Sequence, residues 1–274
     1  QLFARYNAKG VFEQGNYSQG GKGEFAELRA YVLAKLLWDP NYNVNSAVDE
    51  FIEYYYGKSA PAIRKYFDLI HNKVKPTPPY EGIHMRIFDP PIAFYLTEDL
   101  LDQAKQYFDE AEKMADNEEI LGRVQTARLP IMYVEIVRMP YDNQDASIID
   151  KFFRIAQASG LTNIGESGDW TPENFKKMLE NPRPFLGIQM AREGTSPDIK
   201  GVPVGAAIMG GAAAKAGITA GDIIIEFNGK TVTSSKDLVE IITSCRVSDT
   251  VRIKVKRGTE EIELSAVLGA APLY

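Results

Sequence analysis

The chain has 274 residues, 45% of them hydrophobic and 25% charged, with a formal net charge of −6, which is enough material for two cores. No apolar run approaches the roughly 18 residues that span a bilayer. A single cysteine, Cys245, excludes an internal disulfide framework and a multi-cysteine zinc site, and an acidic balance without a basic stripe argues against nucleic acid as a partner. Composition is uneven: residues 1–183 hold 26 of the 29 aromatic side chains, whereas residues 184–269 hold 11 of the 22 glycines. Those same 86 residues carry ten charges of each sign, so the net charge lies outside them. The shift predicts two domains, 1–182 and 183–274. There is no charged n-region with an apolar h-region, and the start at Gln1 rather than Met reads as a mature form or an excised piece.

Gly10 to Gly15 is a short apolar-to-polar run bounded by glycines and reads as one strand. Gly23 to Trp38 places Phe25, Leu28, Tyr31, Val32, Leu36 and Leu37 at helical steps, and Asp39-Pro40 ends the run. Asn45-Ser46 is the expected cap of a second helix through Tyr56, and Ser59 with Pro61 opens a third through about Val74. Residues 76–95 carry five prolines and no period, so they read as an irregular connection. Thr97 caps a helix to about Ala115 with Leu101, Ala104, Phe108, Ala111 and Met114 on one stripe. Glu118–Met139, Ile148–Ala158 and a segment from Thr171-Pro172 to Asn181-Pro182 complete a mainly α-helical domain. A lone strand at its start cannot satisfy its own backbone groups and needs a sheet from elsewhere.

The residues Gly10-Val11-Phe12-Glu13-Gln14-Gly15, Glu24-Phe25-Ala26-Glu27-Leu28-Arg29-Ala30-Tyr31-Val32, Lys35-Leu36-Leu37-Trp38-Asp39-Pro40 and Tyr55-Tyr56-Gly57 resemble the domain of unknown function numbered 4838, over about residues 1–165. In that family a helical region follows a glycoside-hydrolase-like barrel in secreted bacterial proteins. The resemblance implies that this chain is the C-terminal part of a longer, barrel-containing protein, that carbohydrate is a partner through that parent, and that the location is secreted, periplasmic or in the cell envelope. Glu13 would then stand near the C-terminal end of a late barrel strand, where barrel enzymes place catalytic carboxylates. Glycosidases need two carboxyl groups about 5–10 Å apart, and no second one is identifiable, so structural hydrogen bonding is the plainer role for Glu13. Ser18, between glycines, has no upstream histidine base. Gly20-Gly21-Lys22-Gly23 lacks the spacing of a phosphate loop. His71 and His84 have no metal-ligand spacing, and Tyr54-Tyr55-Tyr56, Tyr66-Phe67 and Tyr107-Phe108 read as core and interface before they read as a sugar platform.

From residue 184 the period changes to alternation. Phe185 to Met190 reads as a strand, Gly201 to Ile208 as another, and Ala212 to Gly217 as one or two helical turns. Ile223 to Phe227 is a buried strand followed by Asn228-Gly229, a strong hairpin signal. Thr233-Ser234-Ser235 caps a helix to about Ser244, and Val251–Lys256 pairs with Glu261–Val267 across Arg257-Gly258. Arg252, Lys254 and Lys256 alternate along that strand as an exposed face.

This order, with Phe185-Leu186-Gly187-Ile188, Ala212-Ala213-Ala214-Lys215-Ala216-Gly217, Ala220-Gly221-Asp222-Ile223-Ile224 and Asn228-Gly229-Lys230, closely resembles a PDZ domain of the bacterial HtrA-like type. The resemblance implies an α+β fold, a small antiparallel, partly open β-barrel with two helices. It also implies that an extended peptide adds as a strand to a sheet edge while backbone N–H groups of a glycine-containing loop take its terminal carboxylate. Phe185, Leu186, Gly187 and Ile188 form that loop and lead into Gln189 and Met190, with Leu186 and Ile188 toward the pocket. Ser235, Val239 and Ile242, stepping by four and three, line the helix side, while Leu238, Ile241 and Cys245 face the core. Ser235 stands where domains selecting Ser or Thr two places from the terminus carry histidine, so an apolar C-terminal residue is the expected preference. Arg183 is a candidate cation for the carboxylate, with a solvated linker arginine as the plainer role. No cofactor is expected. The expected function is peptide or protein recognition by this groove; the alternative is a fragment of a carbohydrate-active enzyme whose PDZ domain is a spacer, its edge covered by the helical domain or by the apolar tail Ala270 to Tyr274.

Overall fold

The computed structural model describes residues 2–12, 23–75, 85, 89–165, 168–191 and 200–273, and the chain divides into compact units of residues 1–175 and 176–273. In the first unit come α1 (Leu2–Arg5), α2 (Ala26–Trp38), α3 (Val44–Tyr56), α4 (Ala60–Val74), α5 (Glu98–Met114), α6 (Glu118–Arg138) and α7 (Ala146–Ser159); α8 (Pro172–Glu180) spans the division. Short polar side chains start several of them, though Ser59, expected to open α4, makes no side-chain cap and its hydroxyl donates to Ala111 O at 2.7 Å instead. Thr97 Oγ1 accepts from Leu100 N at 3.3 Å, Asn117 Oδ1 accepts from Ile120 N at 2.9 Å, and Asp145 Oδ1 accepts from Ser147 N at 2.9 Å. The cap of α3 is Asn43 rather than Asn45-Ser46: its side chain accepts from Ser46 N at 3.1 Å, which makes Ser46 part of the first turn.

The core of this unit is the predicted aromatic stripe. Tyr66 and Phe108 are fully buried with ring centroids 4.5 Å apart, and Phe25 joins them 5.7 Å from Tyr66. Leu101, Ala104, Phe108 and Ala111 of α5 are buried as the spacing requires. Met114 leaves that stripe in the last turn, and Leu37 and Trp38 at the end of α2 also face outward, Trp38 being 92% exposed. Within the predicted strand 10–15, Gly10, Val11 and Phe12 form no strand, and the remaining residues lie outside those described. No helix among the described residues is long and apolar enough to cross a membrane.

The second unit contains β1 (Pro184–Phe185), β2 (Ile188–Met190), β3 (Val202–Ala207), α9 (Ala212–Lys215), β4 (Ile223–Phe227), β5 (Lys230–Thr231), α10 (Ser235–Thr243), β6 (Thr250–Arg257), β7 (Glu260–Val267) and β8 (Gly269–Ala270). An antiparallel sheet runs β2-β3-β4-β6-β7, with β5 on β4, and does not close into a barrel. Asn228 (φ 49°) and Gly229 (φ 75°) turn the chain between β4 and β5, as a two-residue hairpin of this twist demands. The register pairs Arg257 with Glu260, so Gly258-Thr259, one residue further than expected, makes the other turn. Along β6, Val251, Ile253 and Val255 are buried while Arg252 and Lys256 face solvent, which accounts for the alternating basic residues. Phe227, Ile224 and Leu238 fill the centre of this core.

The predicted strand 185–190 is two strands with different partners. Pro184 and Phe185 pair with Ala270 and Gly269, and Ala271 N donates to Arg183 O at 2.8 Å. The tail thus lies along β1, and β2 is left to β3.

Asp222, 1% exposed, is held by a two-pronged ion pair: Arg257 Nε donates to Oδ1 at 2.7 Å and Nη2 to Oδ2 at 2.8 Å. Thr219 N adds a third hydrogen bond at 2.9 Å. The Arg257 guanidinium, and then the Thr219 N–H, hold the Asp222 carboxyl below its ordinary range. A lowered folded-state pKa stabilises the fold above the unfolded value of about 3.9 and loses that contribution as pH falls through the folded value. Asp222→Asn is therefore expected to destabilise this unit at pH 7 by roughly 2 kcal/mol, less than a fully buried pair because the arginine is partly solvated. Its urea midpoint should also depend less on pH between about 5 and 2 than that of the wild type; parallel curves would contradict the assignment.

Candidate functional site

After β1 the chain bends at Leu186-Gly187. Leu186 is 1% exposed and part of the core, and its carbonyl accepts from Ala213 N at 2.8 Å. Gly187 has φ +80°, and a Cβ there would lie 3.4 Å from Gly211 Cα. Its carbonyl accepts from Ile208 N at 2.9 Å. The loop is thus tied through its backbone to the segment leading into α9.

β2 follows at once. Ile188, Gln189 and Met190 pair with Ala207, Ala206 and Val204, with an irregularity after Gln189. Because β2 ends the strand order, its other edge pairs with no strand among the described residues. Ile188 is half-buried against the core, and Gln189 and Met190 are exposed. An edge strand of this kind presents N–H and C=O groups to an added strand.

The helix side is α10. Ser234 caps it with a capping box: Asp237 N donates to Ser234 Oγ, and the Asp237 carboxylate accepts from Ser234 N. Ser234→Ala is expected to lower the unit's stability by about 1 kcal/mol, read as a lower urea midpoint. Leu238, fully buried, anchors the helix, with Ile241 and Cys245 packed beside it. Of the expected groove stripe, Ser235 is half-buried and Val239 is 49% exposed. Ile242 packs against the core as well, because a nine-residue helix has few positions with which to hold itself to the sheet.

Other sequence candidates do not join this arrangement. Glu13, Ser18, Gly20 to Lys22 and His84 lie outside the described residues. His71 Nδ1 sits 2.7 Å from Phe67 O, its ring stacked on Phe67 within α4. Among the described residues no group of three or more His, Cys, Asp or Glu side chains could hold a metal ion. Cys245 is half-buried, and its thiol donates to Ile241 O at 3.4 Å. Arg183 is exposed, with its backbone engaged by the tail. The part played by Ile208 and Gly211 was missed. The Gly210-Gly211 pair before an alanine-rich turn was the available signal for a close backbone approach.

The PDZ domain family model matches residues 184–268, spanning the loop, the edge strand, the capped helix and the sheet. Residues 184–268 are a PDZ domain. The model of the domain of unknown function DUF4838 matches residues 1–68, a shorter stretch than the resemblance had indicated. The chain is similar to "Protease Do-like 1, chloroplastic" of Arabidopsis thaliana, 34% identical over 103 residues, covering 33% of this chain and 24% of that protein. It is likewise similar to "Serine protease Do-like HtrB" of Bacillus subtilis (strain 168), 35% identical over 131 residues, covering 40% and 28%. The chain thus spans about a quarter of the length of these two relatives. A solved HtrA3 PDZ domain bound to a phage-derived ligand (FGRWV) is 25% identical and covers 32% of this chain and 86% of its own, with a TM-score of 0.29.

Proposed function

We propose that the PDZ domain takes the C-terminus of an extended peptide, its carboxylate on the Leu186-Gly187 loop and its backbone added as a strand to β2. What supports this reading is that β2, open along one edge, begins directly after a glycine at φ +80°. The peptide would run antiparallel to β2, its last side chain against Ile188 and Ile242 and earlier ones past Met190, Val239 and Ser235. With apolar groups at the terminal position, an apolar last residue is preferred. Titrating the full chain with a pentapeptide ending in valine, and with the same peptide amidated at its C-terminus, tests the reading. The free carboxylate should bind at micromolar to submillimolar concentration and the amide at least 10-fold more weakly; no binding at millimolar peptide, or equal binding of the two, overturns it.

The likeness of residues 1–68 to DUF4838 supports a further reading of residues 1–182 as the helical appendage of a glycoside-hydrolase-like, envelope-located protein, joined to the PDZ unit near Pro182-Arg183. Two carboxylates on separate barrel strands upstream of Gln1 in the parent gene would bear this out, and their absence would remove it.

A further inference from the structure

Both carbonyls of the Leu186-Gly187 bend are tied on one side. Leu186 O accepts from Ala213 N at 2.8 Å, and Gly187 O accepts from Ile208 N at 2.9 Å. In a trans peptide the N–H points opposite to the C=O, so these two bonds turn the N–H groups of Gly187 and Ile188 to the other side of the loop. The direction of the donors that would meet a carboxylate is therefore set by where Ala213 and Ile208 stand.

The helix that carries Ala213 cannot fix its own position. α9 is a single turn of sequence Ala-Ala-Ala-Lys, too short to be stable alone. Ala212 and Ala213 are buried, yet a methyl group makes few of the contacts by which a core holds a side chain. The far end of α9 is held by a charged group. Ile218 N donates back to Ala213 O at 3.0 Å, and the neighbouring Gly217 carbonyl accepts from Arg257 Nη2 at 2.8 Å. The same guanidinium grips the Asp222 carboxylate through Nε and Nη2, and the Asp222 carbonyl accepts from Val204 N of β3 at 2.8 Å. Arg257 is the last residue of β6. It thus ties the C-terminal end of α9 to two strands, and its bond to Gly217 is one that the ion pair with Asp222 does not require.

We infer that Arg257 is a positioning residue for peptide recognition: through Gly217 it holds α9, and through Ala213 α9 holds the Leu186-Gly187 plane in the orientation that takes a carboxylate. The inference rests on the function proposed above. The test compares the full chain with Arg257→Lys, which keeps a charge beside Asp222 but cannot bond that carboxylate twice and Gly217 as well. Ser234→Ala serves as the control, since it weakens the same unit at the cap of α10 and not at α9. Each is titrated with the valine-ending pentapeptide and its amide at a temperature where circular dichroism shows all of them folded. Arg257→Lys should lose about 3- to 10-fold in affinity for the free acid and stay within about 2-fold for the amide, whereas Ser234→Ala keeps the wild-type preference. Native-state exchange of the Ala213 N–H should also be faster in Arg257→Lys than in the wild type. Should Arg257→Lys not fold, Asp222→Asn combined with Arg257→Gln, which leaves no buried charge unpaired, gives the same comparison. An undiminished preference for the acid, an equal loss for both peptides, or the same loss in Ser234→Ala overturns the inference and leaves the proposed function standing. A wild type that binds neither peptide overturns both.

Discussion

Replacing Gly187 by valine is expected to weaken binding of a free C-terminal peptide by at least 10-fold while the chain still unfolds cooperatively. The backbone at 187 has φ +80°, a conformation that a β-branched residue adopts only with strain of about 1–3 kcal/mol. Steric contact is a smaller matter, because the first added carbon would stand 3.4 Å from Gly211 Cα and 3.6 Å from Ala212 N, close to ordinary contact distance. The variant relieves its strain by rotating the Leu186-Gly187 peptide plane. That plane carries the Gly187 N–H, which the proposed function offers to a carboxylate, so the loss should appear in the affinity for the free acid and much less in that for the amidated peptide. Fluorescence polarisation with both peptides measures it, and an unchanged preference for the acid would show that this loop does not take the carboxylate.

Gly201→Ala is expected to destabilise the PDZ unit by about 3 kcal/mol or more. Here strain and collision act together. Gly201 is at φ +125°, and a Cβ would lie 2.7 Å from Ile223 Cγ2 and 2.7 Å from the carbonyl oxygen of Ile224. A flexible side chain could retreat, but this carbonyl belongs to the middle of the sheet, where Ile224 pairs with Val202 on one side and Val255 on the other. Moving it disturbs two ladders at once. A urea midpoint within error of the wild type, followed by the amide signals of β4 and β6, would contradict the prediction.

Features that depend on neighbouring residues were legible in the sequence. Thr97, Ser234 and the Asn228-Gly229 turn act within four residues of themselves, and each does what its type requires. Where two suitable caps lie close together, local rules leave the choice open. Asn43 is selected over Asn45, and the helix that follows buries Ala47, Val48, Ile52 and Tyr56. The break in the strand 185–190 was hidden for a different reason: an alternating pattern does not reveal that its two halves pair with different partners, β1 with the tail and β2 with β3. That Ser235, Val239 and Ile242 share one helix face was readable from their spacing, yet the extent to which Ile242 also supports the core depends on how few positions a short helix has. Backbone contacts such as Ile208 N to Gly187 O leave almost no trace in side-chain identity. Tyr56 read as core, and it is core.

The pairing of β1 with β8 brings residue 184 opposite residue 270, so the polypeptide enters and leaves the PDZ unit roughly 5 Å apart. A load applied between residues 183 and 271 would meet a ladder only two residues long, opening like a zip one hydrogen bond at a time rather than shearing. The strand released first runs straight into the Leu186-Gly187 bend. A load entering through residue 183 thereby meets the Leu186-Gly187 bend before it reaches β2 and the main sheet, so on the function proposed above pulling from that side would loosen the carboxylate loop first.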